Sequence, residues 1–138
     1  MRIKRFSLIE HTADIGLTAY GENVAEAFSN AAYGLFSIIT DLRKVKKIES
    51  RLIEIQENSL EDLLYAWLNH LIYLFDAEQM LFKQCAIQEF EEHKIKAVCY
   101  GERVDPARHN MKLGVKAATY HMLKVDVEKN QVQVIFDI

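Results

Sequence analysis

The feature that most constrains this fold is a stripe of large apolar residues that recurs at helical spacing over residues 60–75. Its members are Leu60, Leu63, Leu64, Trp67, Leu68, Leu71, Ile72 and Phe75. This spacing places all of them on one face of an α-helix. Because Tyr65, Ala66, Tyr73 and Leu74 widen the stripe, we expect a helix over about residues 59–78 that is buried on more than one side.

Capping residues mark where two helices begin. Ser59 precedes the long stripe and is a typical N-cap residue, whose hydroxyl accepts a hydrogen bond from a free N–H group. Asn23 followed by Glu26 resembles a capping box and opens a second apolar pattern. The sequence therefore predicts two main helices, over about residues 23–39 and 59–78.

Strand patterns occupy both ends of the chain and its second half. Apolar residues alternate with polar ones around Ile15 and Ile53, and residues 81–90 and 94–101 form one predicted hairpin. A second hairpin joins residues 117–128 to residues 131–137. Grouped strands favour the α+β class, with mostly antiparallel sheets packed against the two helices. A length of 138 residues fits a single domain, residues 1–138.

The composition narrows the classes of function. A net charge of −3 argues against strong direct binding to nucleic acid, because such proteins are usually basic. No apolar run approaches the roughly 20 residues that cross a bilayer, so we expect a cytoplasmic protein without membrane contact. One local basic run contains Arg43, Lys44, Lys46 and Lys47. We interpret this run as a solvated loop, with a partner or phosphate contact as the alternative.

The two cysteines flank the predicted turn of the first hairpin. If that turn centres on Glu92, Cys85 and Cys99 fall opposite each other. A reducing cytoplasm favours free, buried thiols. A redox pair is the alternative, and a structural zinc site is disfavoured because no His pair completes four ligands.

Carboxylates near the two ends of the chain form the first candidate site. Asp14 lies between two apolar runs, and Asp137 precedes Ile138 at the end of the last strand. If the first and last strands are neighbours, both aspartates and the terminal carboxylate of Ile138 form an oxygen-only cluster. Such a cluster favours Ca²⁺, Mg²⁺ or Mn²⁺ over zinc. The alternatives are a turn residue for Asp14 and a surface residue for Asp137.

An irregular segment over residues 101–116 is the second candidate. It contains the only proline of the chain, Pro106, together with Arg108, His109 and Lys116. Long polar loops within a domain are more often functional than structural.

Four short motifs in this order resemble the archease family over essentially the whole chain. They are His11-Thr12-Ala13-Asp14, then Gly101-Glu102 with Asp105 and Arg108-His109, then Val115-Lys116-Ala117 with Thr119-Tyr120-His121, and finally Phe136-Asp137-Ile138. The resemblance implies an accessory protein, not itself an enzyme, of an RtcB-type RNA ligase. Such a protein promotes guanylylation of the ligase and its multiple turnover in tRNA splicing and RNA repair.

The resemblance also implies a metal site and contact residues. Asp14, Asp137 and Ile138 match the positions that bind a divalent cation, calcium above all and magnesium or manganese as alternatives. His11 is a possible partner of Asp14. Arg108, His109, Lys116 and His121 are candidates for supporting the site or contacting the partner. His121 is in phase with Leu123, which favours a core histidine over a proton carrier. Gly114, just before the Val115-Lys116-Ala117 motif, has no polar side chain, so we assign no role to this position.

Two other functions remain as alternatives. A stand-alone metal-dependent phosphoester hydrolase would use His11 or His121 as a general base near Asp14. A chaperone-like binding module would require an exposed apolar patch. The scattered glycines form no phosphate-binding loop.

Overall fold

The structure, a computed structural model, describes residues 4–10 and 13–138 and confirms the α+β class. In these ranges the helices are α1 (Val24–Ile39) and α2 (Leu60–Glu78), with a short 3₁₀ turn at Leu42–Lys44 between α1 and the next strand. The strands are β1 (Phe6–Glu10), β2 (Asp14–Tyr20), β3 (Glu49–Gln56), β4 (Met80–Glu91), β5 (Lys94–Arg103), β6 (Ala117–Asp126) and β7 (Gln131–Asp137).

Both helices begin at the capping residues that the sequence predicts. The Asn23 side chain accepts from the Glu26 N–H group at 2.8 Å, and the Glu26 carboxylate accepts from the N–H group of Glu22 at 2.9 Å. The Ser59 hydroxyl accepts from the N–H group of Asp62 at 3.1 Å. These bonds satisfy donors that the first helical turn leaves open, so local chemistry sets where each helix starts.

The strands form two antiparallel sheets. One has four strands in the order β1-β2-β7-β6, and the other has three in the order β3-β5-β4. The last strand, β7, therefore lies inside its sheet with β2 on one side and β6 on the other. The neighbour of the last strand is thus β2, which begins at Asp14, and not the first strand, β1.

Helix α1 packs against strands of both sheets and joins them through one core. The rings of Phe36 and Phe82 meet edge to face with centroids 5.6 Å apart. The buried indole N–H of Trp67 on α2 donates to the carbonyl of Phe28 at 3.0 Å, which ties α2 to α1. Tyr73 corrects one expectation, because its side chain is 60% exposed while Leu74 is buried, so α2 keeps a solvent face.

The cysteines require a second correction. The register of β4 and β5 places Cys85 directly opposite Cys99, as the hairpin predicts. The structure joins them as a disulfide, with Cα atoms 4.0 Å apart, whereas the sequence favoured free thiols. The expectation of free thiols came from the compartment alone, whereas the register of β4 and β5 brings the two sulfur atoms within reach of each other.

No helix within the described ranges is both long enough and apolar enough to span a membrane.

Two glycines provide a test of the close approach between β4 and β5. A Cβ atom on Gly101 would overlap the carbonyl oxygen of Leu81, whereas one on Gly114 would meet nothing within 4 Å. We expect Gly101→Ala to lower the free energy of unfolding by about 3 kcal/mol, because backbone must move. Gly114→Ala is the matched control and should change stability by less than about 0.5 kcal/mol. Urea denaturation measures both, and equal effects would contradict the close approach.

Candidate functional site

Two carboxylates face each other where β2 begins and β7 ends. Asp14 is paired with Asp137 across the two antiparallel strands, and Asp137 is paired with Ala117 of β6 on its other side. Directly opposed residues of neighbouring strands project to the same face of a sheet, with Cβ atoms about 5 Å apart. The register therefore puts two acidic side chains next to a small one at the end of the sheet.

The surroundings hold these residues in place. Asp14 is half-buried, and its Oδ1 atom is shielded from solvent, whereas Asp137 is exposed. The carbonyl of Asp137 accepts from the N–H group of Lys116 at 2.8 Å, which brings the end of the irregular segment to the carboxylates. Next to this pair along the two strands, a Cβ atom on Gly16 would lie only 2.9 Å from Ile9 and 3.0 Å from Ile135. The sheet surface beside the carboxylates is therefore apolar and closely packed.

The donor set fits a hard cation better than zinc. Within residues 4–10 and 13–138, no three His, Cys, Asp or Glu side chains converge as a metal-binding group. Among the described residues, Asp14 and Asp137 could offer two carboxylate ligands to a cation, and backbone or terminal oxygens and water would have to complete its coordination. An all-oxygen set of this kind suits Ca²⁺ or Mg²⁺, which accept carbonyl and water ligands readily. Ile138, which follows Asp137, is half-buried beside the core. The predicted partner of Asp14, His11, lies outside the described residues.

Arg108 and His109 belong to a separate cluster around Glu102. The buried Glu102 carboxylate accepts from both terminal nitrogens of Arg108, at 2.5 and 3.2 Å. It also accepts from the N–H group of Lys46 at 2.7 Å. The Nδ1 atom of His109 accepts from the N–H group of Asp105 at 2.8 Å, so its Nε2–H is left to donate to Glu102 at 3.0 Å. His109 is thus a neutral histidine with both ring nitrogens engaged.

This cluster fastens the irregular segment to the fold. Arg108 also donates to the carbonyl of Lys44 at 3.2 Å, so one carboxylate at the end of β5 holds both the segment and the basic run. His109 is buried and Arg108 is about two-fifths exposed, which leaves only Arg108 open to a partner. Glu102 belongs to the Gly101-Glu102 motif, which by itself predicts no role for this residue. The sequence signal for its role is an acidic residue at the end of a strand that precedes Arg108 by six residues and His109 by seven.

The neighbours of Glu102 change the pKa of its carboxyl group. The Arg108 guanidinium, followed by the Lys46 N–H group and His109, lowers the pKa of Glu102 from 4.5 to about 2, although burial acts in the opposite direction. A lowered pKa means that the folded state prefers the charged form of this carboxyl.

His121 is exposed, which contradicts the predicted core position. Between Thr119 and Lys124 the strand β6 carries extra residues, because these two pair with Ile135 and Gln133 of β7. Met122 in the middle of this bulge has a φ of 55°, a left-handed conformation. The alternation that put His121 in phase with Leu123 is therefore interrupted. Tyr120 in the same bulge stacks on Tyr65 with ring centroids 4.0 Å apart.

Fold and site together define a small α+β protein with opposed carboxylates where its beginning and end meet. Comparison with known proteins agrees with the fold. Residues 6–138 match the model of the Archease protein family (MTH1598/TM1083). The chain belongs to the archease family.

Individual relatives extend over almost the same length. An archease of Sulfurisphaera tokodaii is 40% identical over 129 residues, which are 93% of each chain. One of Pyrococcus abyssi is 42% identical and covers 90% of this chain and 89% of its own. The solution structure of protein 1598 of Methanobacterium thermoautotrophicum has a TM-score of 0.78 and 30% identity, covering 99% of this chain and all of that one. A Thermotoga maritima archease, described as a possible chaperone, shares the fold at 22% identity and a TM-score of 0.60, covering 100% of this chain and 98% of that one.

The Glu102 cluster predicts an acid-sensitive component of stability. Because its pKa is lowered from 4.5 to about 2, the stabilisation by Glu102 is fully present above pH about 4.5 and is lost as the pH falls towards about 2. We expect Glu102→Gln to cost about 2 kcal/mol near pH 7, since the amide keeps only one acceptor oxygen, carries no charge for Arg108 and places an NH2 group against one of the donors. The difference between variant and wild type should shrink towards pH about 2 in urea denaturation. A difference that is constant across that range would contradict the assignment.

Proposed function

We propose that this protein is an accessory factor that activates an RtcB-type RNA ligase. It promotes guanylylation of the ligase and its repeated turnover in tRNA splicing and RNA repair, and it has no catalytic activity of its own. Two findings support the proposal: membership of the archease family and the opposed carboxylates at the meeting point of β2 and β7. The second of these is the single observation that carries the chemistry.

The opposed carboxylates call for a cation. Two like charges directly across an antiparallel pair destabilise it unless a positive charge is shared between them. In the proposal Asp14, Asp137 and the terminal carboxylate of Ile138 hold one divalent ion, with Ca²⁺ favoured and Mg²⁺ or Mn²⁺ as alternatives. The bound ion supplies a concentrated positive charge that can orient anionic groups of the partner.

The protein's own residues supply the frame. Asp14 and Asp137 lie on hydrogen-bonded neighbouring strands, so their separation is fixed by the sheet and not by a loop. Lys116 has an exposed side chain, and its N–H group is bonded to the carbonyl of Asp137. This lysine is therefore the described cation best placed to meet an acidic or phosphate group of the ligase beside the carboxylates.

The hydrolase alternative requires a general base beside Asp14, and a general base must reach the proton that it removes. His109 is buried with both ring nitrogens engaged, so it is not available for that role. His121 is exposed on the bulge of β6. His11, the other base that this alternative names, lies outside the described residues.

Neutral variants of the two aspartates test the metal site directly. We expect Asp14→Asn and Asp137→Asn each to abolish the rise in melting temperature that Ca²⁺ produces, because each removes a charged ligand. Without calcium, Asp137→Asn should be at least as stable as wild type, since the repulsion between the carboxylates is gone. Calorimetry with and without chelator measures both effects. Asp76→Asn, an exposed acid on α2, is the control and should keep the calcium response.

The ligase assay tests the activity. Wild-type protein should stimulate guanylylation of an RtcB-type ligase, and Asp14→Asn or Asp137→Asn should reduce that stimulation at least about tenfold, as expected for loss of a charged ligand. Adding one residue after Ile138 displaces the terminal carboxylate and should weaken calcium binding without unfolding the protein. Full stimulation by both aspartate variants would reject the site, and no stimulation by the wild type would reject the function.

A further inference from the structure

A cavity of about 570 Å³ lies away from the carboxylates, against helix α1 and strand β4. Three cationic side chains from different parts of the chain line it: Arg5 before β1, Lys47 before β3 and Lys83 on β4. Its other lining residues are mostly polar. They are Glu26, Ser29, Asn30, Tyr33, Gln84 and Cys85.

Local structure places each of the three cations at this cavity. The register of β4 shifts between Phe82 and Gln84, so Lys83 is the extra residue of a bulge, and bulges redirect side chains. The Lys47 ammonium donates to the side-chain oxygen of Gln84 at 3.0 Å. The bulge in β4 and the start of β3 therefore bring Lys83 and Lys47 to the same cavity.

Arg5 is held from two sides. Its carbonyl accepts from the N–H group of Tyr20 at 3.0 Å, which anchors its backbone to the four-stranded sheet. Its guanidinium lies over the ring of Tyr33, 4.3 Å from the centroid. This cation–π contact keeps the charge at the cavity and also covers one face of the aromatic ring.

The cavity has a surplus of positive charge. Within residues 4–10 and 13–138, none of Arg5, Lys47 and Lys83 forms an ion pair with a carboxylate. Among the described residues that line the cavity, the carboxylate is that of Glu26, which already accepts from the N–H group of Glu22 at the start of α1. Charges of one sign gathered in a concave site attract a ligand of the opposite sign.

We propose that this cavity binds a small ligand that carries two or more phosphate groups. A polyphosphate matches three cations on separate elements better than one carboxylate does, because its oxygens can accept from several donors at once. The volume falls within the range of small-molecule sites, about 300–1,000 Å³. The polar lining and the covered face of Tyr33 offer little surface for a nucleobase, so the phosphate groups carry the recognition. None of these residues belongs to the carboxylate site or to the Glu102 cluster.

Titration calorimetry with sodium pyrophosphate tests the site, in low salt and without divalent cations. We expect the wild type to bind, and Lys83→Gln and Lys47→Gln each to weaken binding by about tenfold, since each removes one charge-assisted hydrogen bond. Lys129→Gln, in the exposed turn between β6 and β7, is the matched control and should bind like the wild type. Glu26→Gln should tighten binding, because glutamine preserves the capping contact while removing the opposing charge.

Titration with adenosine diphosphate tests whether the cavity recognises the phosphate groups alone or also the nucleoside. Affinity within about threefold of that for pyrophosphate supports recognition of the phosphates alone. Adenosine diphosphate that binds far more tightly, or adenosine that binds by itself, would overturn it. Absence of pyrophosphate binding at low salt, or equal weakening by Lys83→Gln and Lys129→Gln, would also refute the site. Circular dichroism of each variant checks that the fold is retained.

Discussion

The pairing of β2 with β7 is the constraint on which the rest of this structure depends. It brings the beginning and the end of the chain into one sheet, and it gives β7 a neighbour on each side. The same strand contributes Val134 and Phe136 to the core and Asp137 to the carboxylate pair. Because the side chains of a strand alternate between its faces, core packing on one face sets the position of the acid on the other. The stability of the sheet and the geometry of the site are therefore coupled.

A single buried carboxylate performs the second organising task. Glu102 receives donors from Arg108, His109 and the backbone of Lys46, which come from two segments without regular secondary structure. Burying a charge costs free energy unless the charge is paired and hydrogen-bonded. Here the irregular segment and the basic run supply those partners, and the same bonds attach both segments to the fold. Arg108 and His109, which the sequence suggests as functional residues, thus hold the irregular segment in place. The proposed function therefore rests on Asp14 and Asp137.

The carboxylate pair and the cation-lined cavity are separated along the four-stranded sheet. Phe6 at the start of β1 pairs with Ala19 near the end of β2, whereas Asp14 begins β2. Arg5 therefore lies at the opposite end of this strand pair from Asp14. Separation of this kind lets one small fold keep an anionic and a cationic site without mutual neutralisation, since charges that are far apart in water are screened. A ligand at one end need not compete with an ion at the other.

The sequence by itself determined the two helices, their capping residues and the hairpins, because these depend on neighbours within a few positions. It also predicted that Cys85 and Cys99 are opposed, by counting from a turn, although not that they are joined. Only the tertiary structure decided which strands lie side by side and where their register slips. The slip in β6 exposes His121, and the slip in β4 directs Lys83 to the cavity. Alternation along a strand cannot reveal an extra residue, because a bulge is set by the partner strand and reverses every assignment beyond it.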